Sequence, residues 1–104
     1  MNKRLKKHID ELVNKNKVFL FMKGTPNEPK CGFSAKAVSI LNNTGVEFGY
    51  FNVLENQEVR EGIKEYGNWP TIPQIYFKGN LIGGCDILME LEENKELKKT
   101  LELE

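Results

Sequence analysis

Apolar side chains along this chain change period several times, and each change marks a different element. Leu5, Ile9, Leu12 and Val13 recur at helical spacing among charged residues, which predicts an amphipathic helix over 3–15. Val18-Phe-Leu-Phe-Met22 is instead an unbroken apolar run, the mark of a short strand buried on both faces. Lys23-Gly24 breaks that run, and a loop with Pro26 and Pro29 leads to Cys31. Phe33, Ala37, Val38 and Leu41 return to helical spacing over 33–43, with Gly45 placed to end the helix at its C′ position. A second strand is predicted over 48–53. A third helix follows over 57–66, where Val59, Ile63 and Tyr66 share a face and Gly67 closes the turn. Trp69-Pro-Thr-Ile-Pro73 reads as a rigid extended segment. Residues 74–78 and 81–82 read as a hairpin turning on Gly79-Asn80. Beyond Gly83-Gly84, Asp86 is placed to open a helix bearing Ile87, Leu88 and Leu91; Leu97 and Leu101 continue the pattern after a break near Asn94.

The order is helix, strand, helix, strand, helix, strand, strand, helix. A strand-helix-strand unit requires a parallel pair with a right-handed crossover, while the hairpin supplies an antiparallel pair. The expected class is α/β: a four-stranded mixed sheet flanked by helices on both faces, which is the thioredoxin-like fold. At 104 residues the chain is expected to form one domain over 1–104.

Composition narrows the function classes. Fifteen Lys and Arg balance fifteen Asp and Glu, so no net field favours nucleic acid or an anionic membrane. The basic cluster Lys3, Arg4, Lys6 and Lys7 and the acidic residues near the chain's end read as solvated helix ends. No apolar run approaches the roughly 18–20 residues that span a bilayer. The opening MNKRLKKHIDELV has no apolar core of the signal-peptide kind, and its acidic residues argue against an intact transit sequence. Two cysteines, Cys31 and Cys85, are too few for a secreted disulfide scaffold and suit a reducing compartment. That compartment is expected to be the cytoplasm, or a mitochondrion or plastid if a transit peptide has been removed. His8 is the only histidine, so no zinc-type Cys/His pairing exists.

The candidate chemistry gathers at four places. Cys31 immediately precedes a predicted helix, where unpaired N–H groups and the helix dipole favour a thiolate. Lys23 stands across the loop to add positive charge. Ser34 occupies the position of the second thiol in a Cys-x-x-Cys motif, so oxidised Cys31 has no partner within the motif and must finish its chemistry with another molecule. The serine hydroxyl either satisfies a backbone amide of the first turn or donates to the thiolate. In Thr71-Ile72-Pro73 the Ile-Pro bond is a candidate cis peptide that would turn the Thr71 and Ile72 backbone outward as a docking edge. Gly83-Gly84-Cys85-Asp86 offers free N–H groups for a carboxylate and an acid for an ammonium, although Asp86 taken alone reads as an N-cap. Arg60 and Lys64, at i and i+4, share a helix face, which taken alone reads as solvated surface.

Together these blocks resemble the monothiol glutaredoxins of the Cys-Gly-Phe-Ser class. Met22-Lys-Gly-Thr-Pro26, Cys31-Gly32-Phe33-Ser34, Trp69-Pro-Thr-Ile-Pro-Gln74 and Gly83-Gly84-Cys85-Asp86 stand in that family's order and spacing over nearly the whole chain. The resemblance implies a glutathione site. In it, Lys23, Arg60 and Lys64 would hold the glycine-end carboxylate, and Thr71 and Ile72 would pair with the tripeptide backbone ahead of cis-Pro73. Gly84, the Cys85 amide and Asp86 would take the γ-glutamyl end. The glutathione sulfur would then lie beside Cys31, Gly32 and Phe33.

The family further implies a [2Fe-2S] cluster held between two protomers, with Cys31 as the metal ligand of each chain. A cluster wants four thiolates, and two copies of Cys31 with two glutathiones complete the set. A rival set uses Cys31 and Cys85 of each chain without glutathione. The resulting expectation is a carrier or scaffold in iron-sulfur protein biogenesis, monomeric when empty and a homodimer when loaded. Acceptor proteins and BolA-like proteins would be its partners. The alternative is an enzyme, a glutathione-dependent thiol-disulfide oxidoreductase that removes glutathione from protein thiols by a monothiol route through Cys31.

Overall fold

A computed structural model describes residues 1–103 of the chain. Helix α1 (Lys3–Val13) leads to strand β1 (Val18–Met22), and helix α2 (Gly32–Thr44) to strand β2 (Gly49–Asn52). A 3-10 turn (Val53–Glu55) precedes helix α3 (Gln57–Tyr66). The hairpin β3 (Gln74–Phe77) and β4 (Asn80–Gly83) follows, then helix α4 (Cys85–Glu93) and the short helix α5 (Leu97–Thr100). The sheet order is β2-β1-β3-β4, with β1 and β2 parallel and the other two pairings antiparallel. This is the expected thioredoxin-like mixed sheet.

The apolar run of β1 is buried at all five positions because the strand lies inside the sheet with helices on both faces. Alternation then sorts its side chains. Val18, Leu20 and Met22 join Ala37, Ile40 and Leu41 of α2 and Leu88 of α4, with Leu97 of α5 at the edge of the same layer. Phe19 and Phe21 face the other way, onto Ile9 and Val13 of α1, Val59 and Ile63 of α3, and Tyr76 of β3. Each such side chain removed from water contributes about 1.5–3 kcal/mol, so β1 anchors both layers.

Local chemistry sets the element ends. The Asn2 carboxamide oxygen accepts from the Leu5 N–H and starts α1; Asn56 does the same for α3 through the Val59 N–H. Gly45, at φ 77°, ends α2 as expected. Two boundaries differ from the sequence reading. The hairpin turns on Lys78-Gly79 rather than Gly79-Asn80, because Phe77 pairs with Asn80 and both turn residues take positive φ, 50° and 81°. Helix α4 begins at Cys85, with Gly84 as its N-cap, so Asp86 lies inside the first turn and caps nothing.

Candidate functional site

Cys31 is itself the N-cap of α2. Its backbone is extended (φ −151°, ψ 154°), and its Sγ accepts the Ser34 N–H at 3.3 Å. The thiol thus takes the place usually held by a serine or aspartate oxygen. Of the two roles open to the Ser34 hydroxyl, a first-turn amide or the thiolate, the geometry favours the thiolate. The fully buried hydroxyl also accepts the Lys23 N–H at 3.1 Å, across the loop. A hydroxyl that already accepts retains its one proton for donation, and Cys31 Sγ lies 3.2 Å away. Burial pushes the Cys31 thiol up. The Ser34 hydroxyl, the Ser34 and Phe33 amides and the Lys23 charge together outweigh it, and the pKa falls below the ordinary thiol value. Cys85 goes the other way. Burial raises it first, with Asp86 and Cys31 adding to the rise against an opposing Lys36. Both cysteines are free, and their environments shift them in opposite directions, Cys31 toward the thiolate and Cys85 toward the thiol.

The loop before Cys31 is folded tightly. Lys30 N–H donates to the Lys23 carbonyl at 2.9 Å, and Thr25 and Glu28 exchange backbone hydrogen bonds. Gly24, at φ 91°, allows this closure: a β-carbon there would stand 2.4 Å from the Glu28 carbonyl oxygen. Its N–H donates to Asn52 Oδ1, which also accepts from Leu54 and so ties the loop to the end of β2.

Beside the thiol runs a cleft in two halves that share Thr71 and Ile72. The cationic half, about 220 Å³, is lined by Lys23, Arg60, Lys64, Pro70, Thr71 and Ile72. The other half, about 230 Å³, is lined by Phe33, Trp69, Thr71, Ile72, Pro73, Gly84, Cys85 and Asp86. Cys31 feels the charge of Lys23 from the first half and acts on Cys85 in the second. Gly32 opens α2 between Cys31 and an exposed Phe33. Every residue singled out in the sequence therefore comes to one region.

Their availability differs. Lys64 is drawn to Glu61 at 3.2 Å, whereas Lys23 and Arg60 make no ion pair among the described residues. The Ile72–Pro73 bond is cis, as expected, and the backbone of Thr71 and Ile72 lies outside every strand ladder. No side chain caps α4, and its first return bond is Leu88 N–H to the Gly84 carbonyl, so the earlier N–H groups are free for an anion.

Two residues that received no individual role in the sequence also belong here. The Trp69 indole N–H is buried without a partner, and a β-carbon on Gly84 would meet that nitrogen at 3.2 Å. Gln74 is completely buried, and its amide reaches back to the Trp69 carbonyl at 3.0 Å. Its one sequence signal is a polar side chain heading an apolar strand.

Among the described residues no helix is long and apolar enough to cross a membrane, and no three His, Cys, Asp or Glu side chains gather as a metal site. The family model described as Glutaredoxin matches residues 18–82. Monothiol glutaredoxin-S17 of Arabidopsis thaliana is 57% identical over 93% of this chain, although the chain spans only 20% of that protein. A monothiol glutaredoxin of Synechocystis, described as ycf64-like, is 53% identical over 99% of this chain and 96% of its own length. The reduced apo form of poplar GrxS14 superposes with a TM-score of 0.83 at 47% identity, covering 94% of this chain and 90% of that one. With its single thiol at the head of α2, the chain belongs to the glutaredoxin family, among the monothiol members.

Proposed function

We propose that the chain binds glutathione in the two-part cleft and carries a [2Fe-2S] cluster, as cargo, between two copies of itself. The observation that carries this reading is the pairing of Cys31 with the cleft: an ionisable thiol caps α2 beside a trough whose ends suit two anionic groups. Lys23 and Arg60 supply the cationic end for the glycine carboxylate, with Lys64 in reserve behind its Glu61 pair. The unladdered backbone of Thr71 and Ile72, ahead of Pro73, receives the middle of the tripeptide. Gly84, the Cys85 N–H and the exposed Asp86 receive the γ-glutamyl end. Gly32 and Phe33 flank the sulfur.

The donor set fits the cargo. One thiolate per chain, beside a bound thiol ligand, yields four sulfur ligands when two copies meet. Cys85 suits the rival ligand set poorly, because it is buried and lines the part of the cleft that the γ-glutamyl end would occupy. Acceptor proteins, including BolA-like ones, would meet the loaded dimer at this face. Dependence on reduced glutathione puts the activity in a reducing compartment: the cytoplasm, or a mitochondrion or plastid.

One observation also favours the oxidoreductase reading, since a lowered Cys31 pKa serves a nucleophile equally well. In that cycle the Cys31 thiolate attacks the glutathione sulfur of a mixed disulfide and the substrate thiolate leaves. A second glutathione thiolate then attacks the Cys31–glutathione bond, releasing glutathione disulfide and regenerating Cys31. Anaerobic reconstitution with and without glutathione separates the two. The carrier reading predicts a brown dimer only when glutathione is present, with slow turnover of a glutathionylated peptide. A colourless monomer that turns the peptide over briskly would favour the enzyme instead.

A further inference from the structure

We propose that Gln74 is a positioning residue that holds the glutathione-docking segment in its binding shape; this rests on the cleft being the glutathione site. Gln74 heads β3 and is fully buried, where a methionine or leucine would fill the space without a polar group to satisfy. Its amide is met on both sides. Nε2 donates to the Trp69 carbonyl at 3.0 Å and, more weakly, to the Thr71 carbonyl at 3.4 Å, while Oε1 accepts the Tyr76 hydroxyl at 2.9 Å. Only the amino side can face two carbonyl oxygens, so the orientation follows from the partners.

The geometry ties backbone that lies outside the sheet to a strand within it. Between α3 and β3 the chain has no ladder, and its upstream anchor is the Trp69 N–H on the Lys64 carbonyl at 3.0 Å. The Trp69 and Thr71 carbonyls are drawn inward onto Gln74, on the segment that lines both halves of the cleft. Gln74 in turn is pinned by Tyr76, a buried core residue of the same strand. Gly67 closes the anchorage from behind: a β-carbon there would meet the Tyr76 hydroxyl at 2.6 Å and Gln74 Oε1 at 3.4 Å. A docking edge fixed before the ligand arrives does not lose its backbone freedom on binding, which is how preorganisation raises affinity.

The inference separates from plain structural support through a pair of substitutions. Gln74→Met removes the loop's clamp and strands the buried Tyr76 hydroxyl, so both stability and glutathione affinity should fall. Gln74→Met/Tyr76→Phe removes the stranded hydroxyl and regains the stability lost to it, while the Trp69 and Thr71 carbonyls remain without their donor. Titration with reduced glutathione, followed by calorimetry, should still find the double variant about tenfold weaker than wild type. Tyr76→Phe alone keeps both Gln74 donors and should stay within about twofold of wild type. Backbone ¹⁵N relaxation should show 69–72 loosened in the double variant and unchanged in Tyr76→Phe. Recovery of wild-type affinity and loop order in the double variant overturns the positioning role. If wild type and Arg60→Ala alike fail to bind glutathione while the loop still loosens, the glutathione reading falls and the positioning of the segment stands.

Discussion

The chemistry of Cys31 is set within one turn of helix. The sulfur accepts an amide, lies beside a hydroxyl whose oxygen is already engaged, and feels Lys23 across the loop. Together these favour the charged form of the thiol. Ser34→Ala removes the hydroxyl, so the midpoint of Cys31 alkylation by iodoacetamide should move to higher pH and the rate at pH 7 should fall. It also leaves the Lys23 N–H without its acceptor in a buried place, which should cost about 1–2 kcal/mol in urea unfolding. An unchanged alkylation profile would show that Ser34 does not act on the sulfur. The place of Cys31 at the head of a helix was legible in the sequence because a thiol before a helix is a local pattern. Ser34's second contact was not, since its partner, the Lys23 amide, is fixed only when β1 and α2 are brought together.

Elements carry the site through their ends. The C-terminal end of β1, the first turns of α2 and α4 and the segment before β3 all meet at the cleft. Hydrophobic period located the strand and the helices, and the prolines marked the segment before β3, but period sets register only loosely. The hairpin turn falls one residue earlier than Gly79-Asn80, since cross-strand pairing of Phe77 with Asn80 decides it. The same limit hid the start of α4, where Asp86 reads as a cap until Gly84 is seen in that position. Two glycines with positive φ allow a contrast. At Gly45 (φ 77°) a β-carbon would meet nothing within 4 Å, so Gly45→Ala should cost only the left-handed conformation, about 1 kcal/mol. At Gly24 (φ 91°) it would also strike the Glu28 carbonyl and the Lys30 amide at 2.4 and 2.7 Å, both backbone atoms. Gly24→Ala should therefore cost about 3 kcal/mol or more and disturb the loop that presents Lys23. Equal losses in denaturant unfolding would contradict this account of the loop.

Across the molecule, one sheet with two apolar layers brings together groups that lie far apart in the chain: Lys23, Cys31, Arg60, Thr71 and Asp86. No single stretch of sequence reveals that convergence. It was legible only because four motif blocks stand in a family's order, and Gln74 and Trp69 stayed without a role because their contacts are internal to the fold. The central claim is that glutathione supplies the thiol that Ser34 withholds. Native mass spectrometry of the anaerobically reconstituted protein, as wild type and Cys85→Ser, tests this most directly. The predicted species in both is two chains, two glutathiones and one [2Fe-2S] cluster. A cluster-bearing dimer free of glutathione, lost in Cys85→Ser, would contradict it.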